Sequence, residues 1–236
     1  IMGNPIGFDQ KIQRSYLDFT ASELRYMAKS AMYGKMDGYL RTFIKGDKAR
    51  TNTVTILLKI WCPGDDDHKR LQREALEAFL QTTEEEKLAF HWGLTMLAYP
   101  FFAAVAEEMG TLLKLQNEAP SQQLGRKIKL LYGDKRRVEV ALSAVLGSMK
   151  AWGLVKAGEQ NIYKPQAKLV IDNASTKNWI LEVLLRVSEF KTMPLPMVNT
   201  QTLFFPFEFA VHIAELETKR IKVDRQGLDG YMLSLV

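Results

Sequence analysis

The stretch "LYGDKRRVEVALSAVLGSMKAWGLV", Leu131 to Val155, decides how this chain is read, together with the "KAGEQNIYKP" that follows it. Gly133 and Asp134 make a turn, and a helix is predicted from about Lys135 to Trp152. At 100° per residue, Val138, Ala141, Leu142, Val145, Met149 and Trp152 fall on one side and pack into a core. The opposite side holds Arg136, Val140, Ser143 and Gly147, flanked by Arg137, Ala144 and Lys150. Three consecutive cations, Lys135, Arg136 and Arg137, stand at the first turn, where they oppose the helix dipole. A helix that served folding alone would have no reason to carry that small local cost.

Working outward, a helix from Phe101 to Leu115 ends at "QNEAPS", and Ser121 or a neighbour caps a second helix to about Tyr132. Downstream, "GLV" and "NIYKP" flank "KAGEQ", with Gly158 where a tight hairpin needs it. Three helices and a hairpin predict a winged helix-turn-helix. In such proteins the recognition helix enters the major groove with its N-terminal residues at base edges, the position of Arg136 and Arg137. Arg126, Lys127 and Lys129 on the preceding helix, and Lys156 and Lys164 near the hairpin, are the expected phosphate contacts.

The charge is segregated in the way such a surface requires. Residues 121–170 carry ten basic and three acidic side chains, whereas residues 61–120 carry five and eleven. A basic block bounded by acidic neighbours is a footprint for phosphate; the overall charge of +5 alone would say little. One cysteine, Cys62, excludes an internal disulfide framework, and three scattered histidines leave no zinc spacing. No secretory signal pattern is visible, so a cytoplasmic setting is expected. No Walker loop, GxGxxG, GxSxG or HExxH occurs, so neither an enzyme nor a cofactor is expected.

The N-terminal region, residues 1–98, reads as helical. Tyr16 to Met32 has helical spacing that Gly34 and Gly38 should break, and Val54 to Trp61 is compatible with helix or strand. Asp65, Asp66 and Asp67 offer N-cap oxygens to an amphipathic helix reaching about Leu80. A metal site at those residues and His68 is disfavoured because adjacent helical residues diverge. Thr83 and Glu86 have capping-box spacing, and Pro100 should interrupt the helix they start. From Leu88 to Ala106 there is no Asp, Glu, Lys or Arg, a length that could span a bilayer. His91, Gly93, Thr95 and Pro100 weaken that reading, and two packed core helices are expected, with His91 and His212 as core or rim histidines.

The pattern of residues 171–236 predicts a repeat of the plan: a helix from Trp179 to Phe190, a Pro-interrupted turn, a helix over "FPFEFAVHIAELET", then two strands around Gly227 to Gly230. Glu208, Glu215 and Glu217 make phosphate an unlikely partner for that third helix. Phe204, Phe205, Phe207 and Phe209 exceed what one helix face can bury, so contact with another domain, another protein or a second copy is expected. The fold class is therefore mainly α with short β-hairpins: a helical region (1–98), a winged-helix domain (99–170) and a second winged-helix-like unit (171–236).

The run "YPFFAAVAEEMGTLLKLQ" with "LYGDKRRVEVALSAVLGSMKAWGLV" resembles winged-helix DNA-binding domains over about residues 100–165. Through Tyr99–Phe102, Tyr132–Asp134 with Arg136, and Trp152–Val155 it is also similar to the BrxA-type proteins of BREX bacteriophage-exclusion systems. The resemblance implies a bacterial, non-enzymatic, helical protein that binds double-stranded DNA in a defence locus. The alternative left open by the residues is a protein-docking module with no nucleic-acid contact.

Overall fold

A computed structural model describes residues 6–64, 68–188, 190–227 and 230–236. The chain is mainly helical, with short strands gathered into three small sheets. Asp65 to Asp67, expected to open the fourth helix, lie outside the described residues.

The N-terminal region begins with an extended strap, residues 6–13, followed by α1 (Arg14–Leu24), α2 (Lys29–Leu40), α3 (Asp47–Trp61) and α4 (Lys69–Ala78). The single helix expected from Tyr16 to Met32 is two helices broken at residues 25–28. Thr20 and Ser22 turn their hydroxyls back onto the Tyr16 and Asp18 carbonyls, a habit that weakens a helix near its end. Gly34 and Gly38 do not break α2. They lie on its exposed side while Met32, Met36 and Leu40, four apart, are fully buried and hold it to the core. Val54 to Trp61 is the buried half of α3.

Thr83 and Glu86 form the predicted capping box at the start of α5 (Glu84–Ala98), and Pro100 opens α6 (Pro100–Gln116). The two helices bend by 120° at Tyr99, and nearly every residue from Leu88 to Ala106 is buried by the rest of the chain. Among the described residues no single helix is long and apolar enough to cross a membrane. His91 is fully buried, accepting from Trp61 Nε1 at 3.0 Å through Nδ1 and meeting Asp18 Oδ1 at 2.8 Å through Nε2. His212, by contrast, is exposed.

After α6 come β1 (Ala119–Pro120), α7 (Ser121–Tyr132), α8 (Arg136–Ala151), β2 (Val155–Ala157) and β3 (Ile162–Pro165). The sheet order is β1-β3-β2, all antiparallel, so β3 returns between the hairpin partner and a strand that precedes both helices. Asn117 ends α6 in a left-handed conformation, which asparagine tolerates, and this aims the chain into β1.

The C-terminal part contains β4 (Leu169–Val170), α9 (Ala174–Val187), β5 (Thr192–Pro194), α10 (Leu195–Asn199), β6 (Phe207–Glu208), β7 (Ile221–Gln226) and β8 (Gly230–Leu235). The hairpin β7–β8 forms as expected, with β5 on the far side of β8. The helix expected over "FPFEFAVHIAELET" does not form. The segment is recruited as extended chain: β6 runs parallel to β4, with the Pro206 and Glu208 carbonyls accepting from Leu169 and Ile171. The phenylalanines of that stretch turn inward: Phe204 and Phe207 are buried, and Phe205 and Phe207 stack edge-on against Trp92 of α5. They pack on the central helices of the same chain, so no subunit contact is needed to account for them.

The buried apolar side chains form one continuous cluster running through all three expected segments. Trp179 of α9 lies against Gly93 of α5, where an added Cβ would stand 2.6 Å from the indole, and its Nε1 donates to the Leu71 carbonyl at 3.0 Å.

Candidate nucleic-acid interface

The residues singled out for nucleic-acid contact lie on α7, α8 and the β2–β3 hairpin. α8 keeps Val138, Ala141, Val145, Met149 and Trp152 in the core, as its periodicity requires. Lys135, the N-cap, and Arg136, Arg137, Val140, Ser143 and Lys150 are exposed. Two residues differ from the expected outward set. Ala144 is buried, and Gly147 is half-covered by the Lys11 stem of the N-terminal strap, which lies along the C-terminal half of the helix. Ile12 holds it there: its N–H donates to Ser148 Oγ at 2.8 Å and its carbonyl accepts from Trp152 Nε1 at 3.0 Å.

Between α7 and α8, and lined also by Asn161 and Tyr163, lies an open groove of about 560 Å³ that brings Arg126 and Lys129 to the same place as Ser143 and Glu139. Gly125 sits where α7 approaches Leu142. The hairpin adds a second feature: Lys156 and Lys164 are both exposed and directly opposite one another across the strands. Like charges in that position repel, so the pair destabilises the hairpin that carries it.

Two of the predicted contacts are engaged within the fold. Lys127 pairs with Glu108 of α6 at 2.6 Å. Lys129 lies between Asp134 at 2.8 Å and Glu139 at 2.6 Å, and its hydrogen bonds to those carboxylates raise its pKa above the ordinary lysine value. Sequence spacing could not reveal this, because Glu139 reaches Lys129 only once the turn at Gly133 and Asp134 folds α8 back beside α7. Among the described residues, Arg126, Lys135, Arg136, Arg137, Lys150, Lys156 and Lys164 make no ion pair.

Elsewhere, Cys62 is buried and burial pushes its thiol pKa up, outweighing the pull of Lys29, which keeps it unreactive. No protein-family model, no curated protein and no solved structure matches the chain.

Proposed function

We propose that residues 99–170 act as a winged-helix unit that binds double-stranded DNA, that the protein is a non-enzymatic DNA-binding protein of the cytoplasm, and that it serves in the bacterial phage-defence setting its resemblance implies. The order helix, strand, helix, helix, strand, strand, with the first strand joining the hairpin, supports the reading. The observation that carries it is electrostatic. Three cations sit at the start of α8, against the helix dipole, and two lysines face each other on the hairpin; among the described residues none of the five makes an ion pair, although Glu139 shares the first turn of α8 and Glu118 and Glu159 line the hairpin cleft. Both arrangements cost folding energy, and an anionic partner spanning α8 and the hairpin would recover it. Arg136 and Arg137 then reach base edges or the flanking backbone, while Arg126, Lys150, Lys156 and Lys164 hold phosphates.

A titration of the protein against labelled duplex at several salt concentrations tests this. Affinity should fall with salt at a log–log slope of about −0.9 per phosphate neutralised. No salt-sensitive binding at all would end the proposal. The protein-docking alternative is favoured by one observation: Leu130 and Leu131, at the end of α7, are 87% and 55% exposed. Large apolar side chains in that state suit a protein partner.

A further inference from the structure

We propose that Lys11, in the N-terminal strap, is a phosphate contact of the same DNA-binding face, so that the interface extends beyond the winged-helix unit; the inference rests on the DNA-binding reading above. The strap is clamped along its length. Phe8 packs edge-on against Tyr99 and beside Phe102, Asp9 accepts from Asn52, Gln10 accepts from Thr53, and Ile12 is fixed to Ser148 and Trp152. Lys11 is the exposed cation in the middle of this clamp, and among the described residues it makes no ion pair. Its aliphatic stem lies across the outward face of α8, with Cβ, Cγ and Cδ 3.6–3.8 Å from where a side chain at Gly147 would begin. The side chain is exposed, and its unbranched stem runs over Gly147 on the helix face that also bears Lys150.

Position along α8 completes the case. Eleven residues separate Arg136 from Gly147, roughly 16 Å along the helix axis. The major groove of B-DNA is about 12 Å wide. A helix whose start, with Arg136 and Arg137, reaches the base edges of that groove therefore carries Lys11 and Lys150, farther along the same face, out toward a flanking backbone. Because the strap is already ordered, Lys11 binds without the entropy cost that a free terminal lysine would incur.

The test uses the full chain and a labelled duplex, with Lys11→Met, Lys11→Arg and the Arg136→Glu, Arg137→Glu double variant measured beside wild type across a salt series. Lys11→Met keeps the stem over Gly147 and removes only the charge, so the thermal unfolding midpoint should not move. Its dissociation constant should rise about threefold to tenfold at moderate salt and its log–log slope should flatten by about 0.9, while Lys11→Arg keeps both at wild-type values. If the double variant loses binding but Lys11→Met binds with wild-type affinity and slope, the Lys11 inference is wrong and the DNA-binding reading survives. If wild type does not bind duplex, both are wrong.

Discussion

The indole N–H of Trp152 donates to the carbonyl of Ile12 at 3.0 Å, joining the last turn of α8 to a strap 140 positions earlier in the chain. With Ser148 Oγ receiving the Ile12 N–H, both backbone polar groups of one buried residue are satisfied by a single helix. Ser148→Ala should therefore destabilise the protein by about 1–2 kcal/mol, since it leaves a buried donor unpaired. Trp152→Phe removes the other bond and some volume, and should cost about 2–4 kcal/mol. Because both variants release the same residue, their effects on chemical denaturation should combine to less than their sum.

Glycines in two helices should respond in opposite directions. Gly34 lies on the exposed side of α2 with open space around it, so Gly34→Ala should stabilise by about 0.5–1 kcal/mol. Gly110 of α6 is buried, and an added Cβ there would collide with the Thr202 carbonyl oxygen, which is backbone and cannot easily yield. Gly110→Ala should destabilise by about 1–3 kcal/mol or more. Thermal unfolding of the two variants checks both signs.

The His91 site predicts a pH dependence. Trp61 donates to Nδ1, so the neutral ring carries its proton on Nε2 and gives it to Asp18. Burial lowers the His91 pKa, overcoming the pull of Asp18; at Asp18 burial pushes the other way but is outweighed by the hydrogen bond from His91 and the charges around it. Both groups bind protons less readily folded than unfolded, so stability is fully present above roughly pH 6.5, the ordinary histidine value, and is lost as pH falls. The unfolding midpoint should drop between about pH 7.5 and pH 5.5, and His91→Gln should lower it at neutral pH while flattening that dependence.

Much of this fold was legible because its signals are local. The capping box at Thr83 and Glu86, the stop at Pro100, the α7–α8 turn and the β2–β3 hairpin each depend on residues a few positions apart. What was not legible depends on distant partners. β1 is two residues long and exists because β3 pairs with it. The stretch around Pro206 has enough apolar residues for a helix, but Trp92 and β4 recruit it as extended chain. At the interface, the outward position of Arg136, Ser143 and Lys150 followed from periodicity, whereas the ion pairs of Lys127 and Lys129 and the placement of Lys11 on Gly147 required the assembled chain.

Those ion pairs carry a prediction of their own. Lys129 is already neutralised by Asp134 and Glu139, so Lys129→Ala should leave the salt slope of DNA binding almost unchanged. Glu139→Gln removes an exposed negative charge from the outward side of α8 and leaves Lys129 paired with Asp134 alone. It should tighten binding by about twofold to fivefold at low salt, an effect that fades as salt rises.

The central claim is that the exposed start of α8 meets duplex DNA, and the Arg136→Glu, Arg137→Glu double variant tests it most directly. Both side chains lie outside the core formed by Val138, Ala141 and Met149, and carboxylates at a helix start suit its dipole, so the variant should unfold at or slightly above the wild-type temperature. Its affinity for duplex should be lost at moderate salt, where wild type binds. A folded double variant that keeps wild-type affinity would contradict the account.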